Sequence, residues 1–219
     1  MTTSTYRQLL DALVAVALVA SILVLWRRRL SSIVVILAVQ GAALAGVALL
    51  VGLHHHETAQ VATAVVTFVL KAFIVPALLW RVVLRSGDDR ETDPVVNIPA
   101  GLVAATLLTL VAFAITPQLV DLAPSVETKA MPVGFAIMLV AGFALVTRRK
   151  AVSQIVGFLM LENGVSLIAV LVATGVPVVV EFGVALDVLL VVLIMRVLTA
   201  RMQSKFGSLD LELLRELHD

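Results

Sequence analysis

Seven long apolar stretches dominate this sequence and restrict the folds open to it. A membrane-crossing helix needs roughly 20 apolar residues, because the hydrocarbon core is about 30 Å thick. Only 14% of the 219 residues are charged, whereas about a quarter are charged in a soluble domain. The alternating segments of about ten residues that are typical of a membrane β-barrel are absent. We therefore predict an all-α, polytopic membrane helix bundle of about seven transmembrane helices.

The predicted spans are Leu9–Trp26, Ile33–Leu53, Val61–Leu84, Val95–Pro117, Met131–Val146, Val152–Ala173 and Pro177–Thr199. The fifth span is short, and we expect it to begin near Thr128. After the last span, Leu209, Leu213 and Leu217 recur every four residues and predict a short amphipathic helix. We divide the chain into spans one to four (1–130), a three-helix membrane unit (131–205) and a tail (206–219). The tail helix either lies on the bundle surface or docks a neighbouring subunit.

Basic residues cluster after every second span, which predicts the orientation of the chain. Cytoplasmic connections of membrane proteins are enriched in Lys and Arg. The clusters follow spans one, three, five and seven, at Arg27–Arg29, Arg81–Arg90, Arg148–Lys150 and Arg196–Lys205. We therefore place the N-terminus outside the cytoplasmic membrane and the tail in the cytoplasm. Arg7 is the one exception to this alternation.

Three ionisable residues lie near the middle of predicted spans. Lys71, Glu162 and Asp187 are each ten residues into a span, or roughly 15 Å from its end. A charge at this depth costs roughly 2.5–3.5 kcal/mol and needs an explanation. Two acids and one base at one depth do not neutralise each other, so we predict a proton path built from these three side chains. The alternative is structural, with Lys71 pairing with Glu162 or Asp187 only to hold the bundle together.

Several other polar residues accompany this predicted path. Glu181 lies four residues into span seven and is either a residue of the outer mouth of the path or an interfacial acid. Gln40 and Asn163 can form hydrogen bonds between helices. Pro76 removes a backbone donor from span three and is expected to kink it.

Spans two and three resemble spans six and seven, which predicts a weak internal repeat of a helix pair. Aligned on the serines that open spans two and six, Gln40 falls opposite Glu162. Aligned on the arginines that close spans three and seven, Lys71 falls one position from Asp187. Parallel repeats with polar groups near the midplane are typical of transporters.

The most specific sequence lies in the last third of the chain. Residues Ser153–Gly164 read SQIVGFLMLENG and residues Val180–Asp187 read VEFGVALD, while span three contains VLKA at Val69–Ala72 followed by Pro76. This pattern resembles the hydrogenase-4 component E family, the small membrane subunit of group 4 nickel–iron hydrogenase and formate hydrogenlyase complexes. The resemblance covers nearly the whole chain.

The three-helix unit 131–205 is also similar to the K subunit of respiratory complex I and to the C subunit of multisubunit sodium/proton antiporters. Those subunits carry a buried Glu in each of two adjacent helices. The first of these positions corresponds to Leu159 in this sequence, and Glu162 lies one turn later on the same face. The second position corresponds to Asp187.

The resemblance implies a non-catalytic integral membrane subunit of a hydrogenase-4-like or formate hydrogenlyase-like energy-converting complex in a prokaryotic cytoplasmic membrane. The implied partners are antiporter-like and quinone-subunit-like membrane proteins, together with hydrogenase catalytic and iron–sulfur subunits, and no nucleic acid. The alternatives are a structural anchor or assembly subunit, a subunit of a multisubunit cation/proton antiporter, and a stand-alone transporter.

Metal and cofactor chemistry are not expected within this chain. It contains no Cys, which excludes thiolate iron–sulfur ligation. It also lacks a P-loop, so we expect no catalytic site, no cofactor and no metal. The run His54–Glu57 could bind a metal, but consecutive residues on a helix do not face one site. A titrating outer loop is the expectation there.

Overall fold

The computed structural model describes residues 2–86 and 96–172, and all the regular structure in these residues is helical. The elements in chain order are α1 (Thr3–Trp26), α2 (Leu30–His54), α3 (Thr58–Thr67), a π-helical segment (Phe68–Ile74), α4 (Val75–Ser86), α5 (Ile98–Ile115), α6 (Pro117–Val120), a 3₁₀ turn (Thr128–Ala130), α7 (Met131–Thr147) and α8 (Ala151–Val172).

Six helical stretches in the described residues are long and apolar enough to cross a membrane. They correspond to the first six predicted spans and confirm a polytopic all-α membrane protein. The third stretch, Thr58–Leu84, joins α3, the π-helical segment and α4. The fifth begins at Thr128, as predicted. The predicted span Pro177–Thr199, which is one of the four spans of the predicted repeat, and the tail helix lie outside the described residues.

The first helix is longer than predicted. It begins at Thr3 instead of Leu9, because the Thr2 side chain caps it by accepting a hydrogen bond of 3.3 Å from the backbone N–H of Thr5. The added turns bring Tyr6 into the bundle, where it is fully buried. Hydropathy alone missed these turns because they are polar at most positions.

Four helices form the centre of the bundle. The closest-packed pairs are α7 with α8 and α1 with α2, and α2 also packs against α8. At one edge, α5 packs against α7 and α1. At the other edge, Thr58–Leu84 packs against α2 and contacts α8 more lightly. The site described below lies at this second edge.

The core consists chiefly of two apolar clusters at different heights in the bundle. We define the basic end by the connections that carry Arg27–Arg29 and Arg148–Lys150, and the opposite end by the His54–Glu57 connection. The basic-end cluster includes Leu37, Val75, Leu79, Val156 and Leu159. The opposite-end cluster includes Val14, Leu44, Val47, Ile137 and Leu167. The two clusters leave a layer between them near the centre of the helices.

A buried arginine closes the basic end. Arg148 is 6% exposed, and its Nη2 donates to the backbone carbonyls of Val24, Leu25 and Arg27 at 2.8, 3.1 and 3.1 Å. The last carbonyls of a helix have no partner within that helix. The guanidinium therefore caps α1 from the connection between α7 and α8.

Span three departs from regular α-helical geometry at the π-helical segment Phe68–Ile74, which ends two residues before Pro76. Proline has no N–H, so a regular α-helical hydrogen bond to the carbonyl of Ala72 cannot form. The N–H of Val75 bonds to the carbonyl of Leu70, five residues earlier, which is the spacing of a π-helix. Lys71 is the buried residue of this segment. π-helical insertions in α-helices often occur at functional sites.

Candidate functional site

A buried ion pair lies in the layer between the two apolar clusters. Lys71 is the central residue of Thr58–Leu84, and Glu162 is the central residue of Val152–Val172. Lys71 Nζ lies 2.5 Å from Glu162 Oε2, and the two side chains are only 7% and 3% exposed. An isolated charge would be very costly at this depth, so each group requires the other.

Further oxygens complete the surroundings of the ammonium. Lys71 Nζ also donates to Asn163 Oδ1 at 2.9 Å and to Ser166 Oγ at 3.4 Å. The Ser166 hydroxyl in turn donates to Glu162 Oε1 at 2.6 Å. An ammonium has three N–H donors and no acceptor. The three oxygens of Glu162, Asn163 and Ser166 therefore give it a complete set of partners.

A chain of hydrogen bonds extends from this pair towards α1, and we call Asn163, Gln40 and Ser21 the amide arm. Asn163 Nδ2 donates to Gln40 Oε1 at 3.0 Å, and Gln40 Nε2 donates to Ser21 Oγ at 2.6 Å. The Ser21 hydroxyl donates to the carbonyl of Ala17 at 2.9 Å. All three side chains are buried.

The direction of the amide arm follows from its two ends. Lysine can only donate, so the Asn163 oxygen must face Lys71, and its NH₂ must face Gln40. At the far end, a backbone carbonyl can only accept. Each bond therefore has one orientation that satisfies every group, and the arm holds the Lys71 ammonium in place. Side-chain amides do not titrate near neutral pH, so this arm does not carry protons.

Close helix contact places Lys71 beside the arm. Gly41 follows Gln40 on α2, and a Cβ added there would lie 2.7 Å from Lys71 Cβ and 2.8 Å from the Lys71 carbonyl oxygen. Real Cβ contacts are essentially never shorter than 3.0 Å. Any residue larger than glycine at this position would force α2 and the π-helical segment apart.

A small cavity adjoins the ion pair. Its volume is about 10 Å³, and it is lined by Leu37, Leu70, Lys71, Val75, Leu159, Glu162 and Asn163. Leu159, the position that corresponds to the first acid of the K-type subunits, therefore borders the same space as Glu162. An acid at either position would border the same cavity as Lys71.

The structure brings together four of the residues that the sequence singles out, namely Lys71, Glu162, Gln40 and Asn163. Pro76 lies in α4 directly after the π-helical segment. The other two predicted site residues, Asp187 and Glu181, lie outside the described residues. The role of Lys71, Glu162, Asp187 and Glu181 in a proton path stays a prediction.

Sequence reasoning missed two members of the site, Ser21 and Ser166. Ser21 is the only polar residue between Asp11 and Arg27, which is a weak signal of a buried partner. Ser166 lies four residues after Glu162, a spacing that places both on one helix face. Neither signal is specific, because hydroxyls in membrane helices commonly bond to a carbonyl of their own helix.

A second polar cluster closes the opposite end of the bundle. Glu127 Oε1 accepts a hydrogen bond of 2.7 Å from the Tyr6 hydroxyl and lies 3.0 Å from His55 Nε2. The ring of His54 stacks on Tyr6 with centroids 3.9 Å apart. The histidine run, expected as an outer loop, is exposed but tied to a buried carboxylate. In the part of the chain that the structure describes, no group of three or more His, Cys, Asp or Glu converges as metal ligands would.

The Glu127 carboxyl makes the stability of this end depend on pH. Burial acts to raise its pKa, but hydrogen bonds from Tyr6, His55, Ser125 and the backbone of Glu127 together outweigh burial and lower the pKa from 4.5 to about 2. A lowered pKa in the folded state stabilises the protein above the ordinary value, and this stabilisation is lost as pH falls from about 4.5 towards 2.

We therefore expect the thermal unfolding temperature of the wild type to fall across this interval more steeply than that of Glu127→Gln. The measurement is thermal unfolding in detergent at several pH values. Asp121→Asn, at an exposed acid on the same connection, is the control and should behave like the wild type. Parallel curves for the wild type and Glu127→Gln would contradict the assignment.

Comparison with known proteins gives two kinds of relative. The chain is 44% identical over 220 residues to the uncharacterized protein Rv0085 of Mycobacterium tuberculosis, and the match covers 100% of both chains. It is 29% identical over 152 residues to hydrogenase-4 component E of Escherichia coli, which covers 68% of this chain and 69% of that protein. The Shigella flexneri protein of the same name gives the same values. No family model and no solved structure matches the chain.

The full-length match at 44% identity decides the family. The match to hydrogenase-4 component E is weaker, but it supports the resemblance found in the sequence. The chain belongs to the family of the Mycobacterium tuberculosis protein Rv0085 and is a distant relative of hydrogenase-4 component E.

Proposed function

We propose that this chain is a non-catalytic membrane subunit of a hydrogenase-4-like, energy-converting complex and that the Lys71–Glu162 pair exchanges protons within it. The observation that carries the proposal is the ion pair itself, which lies at the centre of two spans with an apolar cluster on either side. Ionisable residues inside a membrane span are expensive and usually mark ion pathways.

The geometry of the pair suits reversible protonation of Glu162. When the carboxylate takes up a proton, the Lys71 ammonium loses the negative charge of Glu162. It keeps two other acceptors, however, at Asn163 and Ser166. The amide arm holds Asn163 in position throughout. The protonated state of Glu162 therefore leaves a charged but still hydrogen-bonded lysine, which lowers the cost of moving between the two states.

The apolar clusters favour movement of the proton within the membrane plane. One apolar cluster lies between the ion pair and each end of the described bundle. In our proposal the path continues to Asp187 and Glu181 and then to antiporter-like neighbours in the complex. The N-terminus lies outside and the C-terminus in the cytoplasm, as the distribution of Lys and Arg predicts.

Redox chemistry in the proposed complex belongs to other chains. The relative that suggests the complex is named as a component of hydrogenase-4. This chain has no Cys with which to ligate nickel or an iron–sulfur cluster. Its proposed partners are therefore the hydrogenase catalytic and iron–sulfur subunits, together with the antiporter-like and quinone-subunit-like membrane proteins.

The experiment purifies the complex through a tag on this chain and measures proton movement after reconstitution in liposomes. We expect nickel–iron hydrogenase-type subunits to copurify, and we expect Glu162→Gln to assemble normally but to lose coupled proton movement. Gln has nearly the same shape as Glu but carries no exchangeable charge. Thr109→Val is the matched control, because the Thr109 hydroxyl donates only to the carbonyl of Ala105 in its own helix. Normal proton movement by an assembled Glu162→Gln complex would refute the role of the pair.

A structural anchor is the second candidate function. It is favoured by the completeness of the hydrogen bonds around Lys71, since fully satisfied buried networks also fix how helices pack. A multisubunit cation/proton antiporter remains the alternative assembly, and copurification with antiporter subunits alone would support it over a hydrogenase-like complex.

A further inference from the structure

The cavity beside the ion pair has the size and the polar partners of a site for one water molecule. Its volume of about 10 Å³ is near the lower limit for holding a single water. Buried waters typically need two to four polar partners. Lys71, Glu162 and Asn163 all border this cavity and supply donors and acceptors for such a molecule.

The apolar lining places the cavity on the basic side of the ion pair. Helices α2 and α8 both run from the basic end to the opposite end, so Leu37 and Leu159 lie nearer the basic end than the central residues of their helices. Span three runs the other way, so Val75, which follows Lys71 by four residues, also lies nearer the basic end. All three residues belong to the basic-end cluster.

The direction towards α1 offers no comparable route. The amide arm ends at the carbonyl of Ala17, which has no proton to give. A proton relay along hydrogen bonds requires each member to accept on one side and donate on the other, and then to reverse. The fixed direction of the Asn163–Gln40–Ser21 bonds prevents that reversal.

We propose that this cavity binds one water molecule through which Glu162 exchanges its proton with the rest of the path, on the side of the ion pair that faces the basic end. When Glu162 takes up a proton, a hydronium ion at this position transfers it to the carboxylate, which leaves a neutral water molecule and a neutral carboxylic acid. The reverse step restores both ions. The inference rests on the proposed exchange role of the pair, and it adds a water molecule as the carrier and the side of the pair on which this water lies.

The test fills the cavity without touching the charged residues. Val75→Ile adds one methyl group at the lining and should lower the rate of coupled proton movement by about tenfold, equivalent to ~1.4 kcal/mol in the barrier. Val47→Ile is the matched control, because Val47 is also buried but lies in the opposite-end cluster. Val75→Ala enlarges the same site and should keep the wild-type rate, which separates loss of water from loss of folding.

A second readout detects the water without measuring transport. Hydroxyl radicals generated by X-rays from bound water label the adjacent side chains. In the assembled complex, we expect labelling of Leu37 and Leu159 in the wild type, stronger labelling in Val75→Ala and its loss in Val75→Ile. The site is wrong if these leucines stay unlabelled, or if Val75→Ile moves protons as fast as the wild type.

The two proposals can fail separately. If Glu162→Gln stops proton movement but Val75→Ile does not, the water site is wrong and the exchange role of the pair stands. If Glu162→Gln moves protons normally, the proposed function fails. With that result, a proton-carrying role for the water is refuted too. The labelling still shows whether water binds in the cavity.

Discussion

Replacing Glu162 by leucine should destabilise the protein by about 3–5 kcal/mol, and adding Lys71→Met should restore most of that loss. The single variant removes the carboxylate that pairs with the Lys71 ammonium, in a site that is 7% exposed or less. The double variant removes both charges, and well-packed apolar side chains often replace a buried ion pair without loss of stability. Thermal and denaturant unfolding in detergent measure both effects.

The double variant also separates the two candidate functions. If the pair only holds helices together, the folded Lys71→Met/Glu162→Leu protein should support normal proton movement by the complex. If the pair exchanges protons, the same protein should assemble and move none. Thr109→Val again serves as the control for loss of a polar group. A single Glu162→Leu variant as stable as the wild type would show that the pair is not desolvated, which contradicts both candidates.

Gly41→Ala should have the second large effect, by forcing α2 away from Lys71. The new Cβ would lie 2.7–2.8 Å from the Lys71 Cβ and carbonyl oxygen, and a backbone atom cannot rotate out of the way. Overpacking of this kind typically costs about 1–3 kcal/mol. Because the displaced residue is Lys71 itself, we also expect coupled proton movement to fall.

Gly142→Ala is the matched control, since nothing lies within 4 Å of the position its Cβ would take in α7. Alanine is favoured over glycine inside a helix by roughly 0.5–1 kcal/mol, so this variant should be neutral or slightly more stable. Unfolding temperature and proton movement are measured for both variants. Equal behaviour of Gly41→Ala and Gly142→Ala would mean that the close contact between α2 and the π-helical segment does not form.

Hydropathy predicted the six described spans because the bilayer imposes a minimum length on any apolar helix. It also identified Lys71 and Glu162, since the cost of a buried charge is itself a signal. The sequence left the partner of Lys71 open between two acids, because depth along a span does not specify how helices are rotated. Among the residues that the structure describes, Glu162 pairs with Lys71, and Asp187 lies outside them.

Contacts between distant segments were beyond sequence reasoning. Tyr6 and Glu127 are separated by 121 positions, and each has an ordinary explanation as an interfacial aromatic or a loop acid. Ser21 donates to its own helix, as Thr106 and Thr109 do, and only its second bond from Gln40 sets it apart. Such partners become visible only when the packing of the helices is known.

The capping of α1 by Arg148 has a mechanical consequence. The Arg148 guanidinium donates to three carbonyls at the end of α1. The backbone N–H of Arg148 donates to the carbonyl of Ala144 at the end of α7. If the α7–α8 hairpin tilted, α1 would have to move with it, or these hydrogen bonds would break in a buried site where water cannot readily replace them. The three helices should thus move as one unit, so a movement of the hairpin would be transmitted to Ser21 on α1, where the amide arm ends.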